Sequence, residues 1–417
     1  MGGGQAGRAQ GAAPVPVVGQ APPPAAVHRA PRPVEPRLAA GRGCHCPPPG
    51  LPRRANEGPP LDAAAAGDSS PGVKLLQRAL ALAGLALAVL PSTAAGRLNV
   101  FIWSEYLDPA VVADFEAARG AKVTVDVFEE AEAMLAKLQG GGASQYDVVC
   151  VPDHLVPAVI SLKLAAPLRR ENLPNLRHLD PKFTRLPFDP EGRHAIPFQW
   201  GTLALYYRPQ PGRADPDSWG ALFDPAAAFG PFTLLDSVRD TVGAALKFRG
   251  HSLNATDPVK LREARDLLFA AKARAIGFEG NIAGRNRVLA RTAALAAVYS
   301  SDAARGMAED PDTRAVIPKE GSQIWLDTLA VTARAPNRDL AEQFLDWVLD
   351  PQQGARISIY AKAGTPNAAA RAFLPPGLLQ DTLVYPPPEV MERLEFLEDL
   401  GRRTRLHDQI WTQIKAR

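Results

Sequence analysis

Residues 98–120 read LNVFIWSEYLDPAVVADFEAARG. The opening LNVFIW is an apolar run of strand type. The second half predicts a helix. Asp108 suits an N-cap, Pro109 suits the first helical position, and Gly120 suits a C-cap. A strand that runs directly into a helix is the repeating unit of an α/β domain with a largely parallel sheet. Ligands of such sheets bind beyond the carboxyl ends of the strands. Trp103, Ser104, Glu105 and Tyr106 fall there, which predicts that two aromatics and a carboxylate face a cleft rather than a core.

The same rhythm continues downstream. KVTVDVF at 122–128 predicts a strand, 129–139 a helix, YDVVCVP at 146–152 a strand, and 153–163 a helix. AIPFQWGTLALYYRP at 195–209 reads as a long strand leading into a second region. TLLDSVRDTVGAALKFRG at 233–250 reads as strand end, turn and helix, and a strand follows residue 292. KEGSQIWLDTLAVTARAPN at 319–337 returns in extended form, 338–358 predicts a helix pair, and the tail is helical. The pattern predicts two α/β lobes, each a mixed, mostly parallel sheet flanked by helices, joined by crossing strands with a ligand cleft between. Residues 96–203 plus about 326–370 form the first lobe; 204–325 plus about 371–417 form the second.

The first 95 residues read differently. Of residues 1–72, 27 are Pro or Gly and none is Phe, Trp, Tyr or Lys. Such a segment buries too little apolar surface to offset its ordering entropy and is expected to be disordered. VKLLQRALALAGLALAVLPSTAAG follows, with a basic start, a short apolar run and small residues. That is a signal peptide over 73–95, and its apolar run is too short to span a bilayer. Met occurs only at 1, 134, 307 and 391, so translation is expected to start at Val73, with a disordered leader as the alternative.

Residues 96–417 carry 38 basic and 40 acidic side chains, a net charge of −2, which argues against nucleic acid. Cys44 and Cys46 lie in the leader, and Cys150 is alone in an apolar strand, where it reads as a small buried residue. No cysteine stands directly after the cleavage region, so an exported, soluble, unanchored product is expected.

From Leu98 to Arg417 the chain resembles the periplasmic spermidine/putrescine-binding proteins of bacterial ABC importers. FIWSEYLDP, AKVTVDVFEEAEAMLAKLQ, YDVVCVP, HAIPFQWGT, DSWGALFDP, VIPKEGSQIWLDTLAV, GTPNAAAR and YPPPEV carry the resemblance, in order. It implies a two-lobed periplasmic-binding-protein fold (type II-like) that closes around a polyamine. It further implies delivery to a permease and its ATPase, a monomer in the periplasm, and no cofactor, metal or enzymatic activity. A polyamine needs carboxylates for its ammonium groups and flat aromatic faces for its methylenes. In the family, the turn matching Trp103, Ser104, Glu105 and Tyr106 supplies these from the first lobe. By the same resemblance Trp325 stacks on the ligand, Asp327 and Asp240 bind amines, Tyr299 replaces a Trp, and Asp302 stands where putrescine-type members carry an Asp.

Three positions depart from the family. Asp153, His154 and Leu155 stand where Ser and an aromatic are frequent. Ala363 and Gly364 stand where a ligand-contacting Tyr is common, and Leu397 replaces a polar residue. The pocket loses aromatic walls and gains an acid at Asp153. Spermidine, putrescine and another cationic solute stay open.

Each site residue also has a structural reading. Trp103 and Tyr106 could fill a core. Asp240 suits the first turn of a helix, and Asp302 and Asp153 suit N-caps. His154 reads as a surface or cap-adjacent histidine, with a place in the pocket left open, and Trp200 and Trp219 as packing residues. Asp327, a carboxylate inside the apolar IWLDTLAV, has no easy structural reading, because buried acids are rare unless partnered. Two other functions compete. Tyr206 and Tyr207 resemble the paired tyrosines of ferric-ion-binding proteins. Asp236 and Asp240 could act as an acid–base pair in an enzyme. No P-loop, zinc-type His-Glu-x-x-His or Gly-x-Ser-x-Gly elbow accompanies them.

Overall fold

The computed structural model describes residues 96–416 apart from Ala228. The disordered reading of 1–72, the signal peptide at 73–95 and the two leader cysteines lie outside the described residues. In chain order the longer elements are β1 (Gly96–Trp103), α1 (Pro109–Arg119), β2 (Ala121–Phe128), α2 (Ala131–Gln139), β3 (Val148–Pro152) and β4 (Ala195–Tyr207). Next come β5 (Phe232–Leu235), α3 (Val238–Phe248), α4 (Pro258–Lys272), β6 (Gly277–Glu279), α5 (Asn281–Leu289), β7 (Leu295–Tyr299) and α6 (Ser300–Glu309). The last are β8 (Arg314–Val316), β9 (Gln323–Val331), α7 (Arg338–Val348), α8 (Pro351–Ala361), β10 (Glu395–Phe396) and α9 (Thr404–Ala416).

The first strand–helix unit forms as local chemistry dictates. The Asp108 carboxylate accepts from the Ala110 N–H at 2.8 Å, and Gly120 ends α1 in a left-handed conformation at φ +57°. After β3 the chain makes a single 3-10 turn over Asp153–Leu155 and a short helix over Val156–Ser161, not one helix over 153–163. Pro157 has no amide hydrogen and fits only the first turn, so the α-helix starts there and the residues before it stay irregular.

The strand order is β2-β1-β3-β9-β4-β7-β5-β6, with β10 added to β9 and β8 to β4. Strands β1, β2 and β3 pair in parallel, as do β5, β6 and β7. Antiparallel β9 and β4 lie between the two parallel groups. β4 changes partner along its length. It pairs with β9 up to Thr202 and with β7 from Leu203 onward. One core gathers Phe101, Phe115, Val149, Leu329 and Phe344 around the first group. Two others cover the second group, one with Tyr207, Trp219 and Phe232 and one with Tyr206, Val288 and Ala296. Cys150 is fully buried in β3. Among the described residues no helix is long and apolar enough to cross a membrane.

Candidate functional site

A cavity of about 300 Å³ opens where the strands of both parallel groups end. Trp103 closes β1, Glu129 follows β2, Pro152 ends β3 and Asp153 follows it. From the other side Leu235 ends β5 and Asp236 follows it, Gly280 follows β6, and Tyr299 closes β7. This is where the carboxyl ends of parallel strands place a ligand.

Strand β9 supplies the floor. Gln323, Trp325 and Asp327 lie two residues apart and share one face of the strand, and all three line the cavity. Asp327 is 6 % exposed and sits in register with Pro152 of β3 and Gln199 of β4. The Tyr106 hydroxyl donates to its Oδ2 at 2.5 Å. Burial pushes the Asp327 carboxyl up to about 7, against the Tyr106 hydrogen bond and reinforced by the Asp153 charge. Burial and the same carboxylate push the Tyr106 hydroxyl well above its ordinary range.

Helix α3 supplies the second deep acid. Asp240 lies in its first turn and is 5 % exposed. Its Oδ2 accepts from the Ser237 hydroxyl and from the Tyr299 hydroxyl at 3.3 Å. Its Oδ1 is buried with no hydrogen-bond partner. Burial raises this carboxyl above its ordinary value. Trp325 links the two acids. Its ring lies 6.3 Å from that of Tyr106, which holds Asp327, and 5.9 Å from that of Tyr299, which holds Asp240. Two buried carboxylates thus stand at the ends of an aromatic wall, and neither forms an ion pair with an Arg or Lys of the described residues.

Nine of the ten predicted site residues meet in this cavity: Trp103, Ser104, Tyr106, Asp153, Asp240, Tyr299, Asp302, Trp325 and Asp327. Trp103 also packs on Phe128 at 4.4 Å, so it serves core and cavity together. Glu105 is not among the lining residues. Its carboxylate contacts Arg285 at 2.9 Å and Arg305 at 3.1 Å, and the Arg285 hydrogen bond holds its pKa below the ordinary value. Asp302 lines the cavity but is joined to Arg305 at 2.9 Å and to Arg285 at 3.4 Å. It caps nothing: it is the third residue of α6.

The sequence left open whether His154 lines the pocket. It lines the cavity rather than the surface, with Nδ1 3.3 Å from Asp153. Burial opposes its protonation, but the hydrogen bond and charge of Asp153 outweigh that and raise its pKa. Asp153 is not free either; it accepts from the backbone N–H groups of His154 and Leu326 at 2.7 and 3.2 Å.

Sequence reasoning missed Gln323, the rim glutamates Glu129, Glu130 and Glu132, Arg239, and Trp411 from α9. Gln323 was detectable, since it shares the strand parity of Trp325 and Asp327. The glutamates follow β2 directly. Arg239 is next to Asp240 but spends its guanidinium on the Glu398 carbonyl and Asn254 Oδ1. Trp411 comes from the far end of the chain and carries no local signal. The departures from the family also have places. Gly364 lies against Trp200, where a Cβ would approach the indole to 2.5 Å, and Leu397 is buried outside the cavity. Trp200 and Trp219 are fully packed.

The residues of the competing readings do not come together as those readings need. Tyr206 and Tyr207 are successive strand residues buried in different cores, and Tyr206 donates to Thr313 at 2.9 Å. Asp236 is ion-paired with Lys415 at 2.9 Å.

The charge around the cavity is one-sided: eight lining residues are acidic, and the lining arginines are Arg239 and Arg305. It suits a cation with an apolar body.

Comparison with known proteins agrees. A family model described as a bacterial extracellular solute-binding protein matches residues 110–382. A putrescine/cadaverine-binding protein of Pseudomonas aeruginosa is 31% identical over 356 residues, covering 82% of this chain and 100% of that one. A spermidine/putrescine-binding periplasmic protein of Escherichia coli is 28% identical over 322 residues, covering 76% of this chain and 91% of that one. Among solved structures, a spermidine/putrescine ABC transporter substrate-binding protein of Streptococcus pneumoniae gives a TM-score of 0.68 at 26% identity, covering 77% and 99% of the two chains. The chain belongs to the bacterial extracellular solute-binding proteins.

Proposed function

We propose that this protein is the solute-binding component of an ABC importer and that its ligand is a polyamine. It works in the periplasm as a monomer and hands the ligand to a permease driven by an ATPase. The observation that carries the reading is the pair of buried carboxylates, Asp240 and Asp327, set at the ends of the Tyr106–Trp325–Tyr299 wall without an ion pair to an Arg or Lys on either. A buried acid costs free energy unless partnered, so these two acids favour a cationic guest. The aromatic faces between them suit its methylene chain.

The function is binding, not chemistry. The lobes are 96–203 with about 326–370, and 204–325 with about 371–417. Ligand contacts from both, Asp327 on β9 and Asp240 on α3, favour the closed form. The partner change of β4 at Thr202 and Leu203 supports a crossing between lobes at that point.

Calorimetric titration of the purified protein with putrescine, cadaverine, spermidine and spermine tests the reading. Binding of at least one at micromolar or tighter dissociation constant is expected. Absence of heat with all four sinks it.

A further inference from the structure

Four charged groups beside the cavity form a closed set. The Arg285 guanidinium donates to Glu105 at 2.9 Å and lies 3.4 Å from Asp302. Arg305 donates to Asp302 at 2.9 Å and lies 3.1 Å from Glu105. It also donates to the Ala361 carbonyl at 2.7 Å, which fixes its position. The Arg285 side chain is 8 % exposed. Glu105 takes a left-handed backbone, φ +56°, which sets it apart from Trp103, Ser104 and Tyr106 on the cavity wall.

The remaining lining acids can be accounted for one by one. Asp236 holds Lys415, and Asp153 holds His154 and two backbone amides. Glu129, Glu130 and Glu132 are exposed, and solvated charges attract a cation weakly and without selecting its length. Only Asp240 and Asp327 among the lining residues are deep and form no ion pair. An ammonium group needs one such acceptor, so the deep site has room in charge for two.

We propose that Arg285 and Arg305 make this site selective for diamines. By neutralising Asp302, with Glu105 held off the cavity wall in the same set, they remove the acceptor a third ammonium would use, and Arg305 presents a like charge to it. Guanidinium groups stay protonated at any physiological pH, so the block is permanent. The inference rests on the polyamine reading above and names the length of the ligand.

The test is a titration of the purified protein with putrescine, cadaverine and spermidine, repeated on Arg305→Gln and Arg305→Lys. In the unmodified protein a diamine is expected to bind at least about tenfold tighter than spermidine. R305Q should narrow that ratio about tenfold in favour of spermidine, while R305K, which keeps the charge, should preserve it. Spermidine binding as tightly as the diamines overturns the inference and leaves the polyamine reading standing. An R305Q ratio equal to that of the unmodified protein also overturns it. No binding of any amine removes both. Should R305Q fail to fold, judged by its melting curve, Arg285→Gln takes its place, and the ranking in the unmodified protein decides without either.

Discussion

Tyr106, in the turn after β1, donates its hydroxyl to Asp327 at the middle of β9, 221 residues away in the chain. The bond joins the two segments whose sequences carried the clearest ligand signal. It has a specific effect on the acid. A phenol that donates favours the ionised carboxylate, yet burial wins and Asp327 titrates near 7. The site therefore holds an acid that a guest cation can charge.

Asp327→Asn should separate function from stability. Binding should weaken by roughly 2–5 kcal/mol, because an ammonium would lose its buried counter-charge. Stability should move the other way. The Asp327 pKa is about 7 in the fold against 3.8 ordinarily, so the native state holds a proton that the unfolded chain releases. Stability is then fully present below the lower value and is lost as pH rises toward the higher one. Removing the acid should raise the stability of the empty protein at neutral pH by roughly 1–4 kcal/mol. Urea unfolding and calorimetry measure the two effects. A destabilised variant that still binds contradicts both.

Affinity should fall with acid. Below about 7 the Asp327 carboxyl is protonated, and a cation must displace that proton to bind. The dissociation constant should rise about tenfold per pH unit until the pKa of the complex is reached. Protonation of His154, whose pKa Asp153 raises, adds a repulsion of the same sign. Tyr106→Phe removes the donor that favours the ionised acid, so it should move the midpoint to higher pH. Asp327→Asn should remove most of the slope and leave the part due to His154. Titrations from about one and a half units below the Asp327 midpoint to about as far above it read this out. A profile no steeper than that of Asp327→Asn would mean that Asp327 does not change charge over this range.

The sequence was most informative where chemistry is local. LNVFIW and DPAVVADFEAARG contain their own strand and cap signals, and the cavity lies where a strand–helix connection must put it. Asp327 stood out because a carboxylate in an all-apolar strand needs a partner. What was not legible depends on contacts between distant segments. Glu105 looks like a ligand acid in its own turn; the arginines that hold it are 180 and 200 residues away. His154 looks like a surface residue until Asp153 and the second parallel group enclose it. The strands β6, β8 and β10 are two or three residues long, too short to give a period.

Glu105→Gln should cost stability. It leaves Arg285, almost fully enclosed, with a distant Asp302 contact as its remaining ion pair. A wholly buried pair broken this way costs about 3–5 kcal/mol, but the Glu105 side chain is 37% exposed and water screens it. The expected loss is about 1–2 kcal/mol in urea unfolding. Asp302→Asn in the same background should bring the total above the sum of the single losses, because either acid alone still serves both arginines and losing both strands them. Additive losses would mean that the four groups do not act as one network.

Gly201→Ala tests whether Trp325 is a ligand contact or only a core residue. Gly201 faces Trp325 across the β4–β9 ladder. A Cβ there would lie 2.4 Å from the indole Cζ2 and 2.8 Å from the Ser300 hydroxyl oxygen. Neither neighbour yields easily. The indole N–H donates to the Thr202 carbonyl at 3.3 Å, and the Ser300 oxygen accepts from the Thr202 N–H at 3.1 Å. The added methyl must push the indole toward the cavity, at a cost of roughly 1–3 kcal/mol in stability. Because the indole bridges Tyr106 and Tyr299, the spacing of the wall between the two acids changes with it, and polyamine affinity should drop about tenfold or more. Tryptophan emission should shift in the same variant. A variant that melts earlier but binds the amine as before would place Trp325 in the core alone and leave Asp240 and Asp327 to hold the ligand without it.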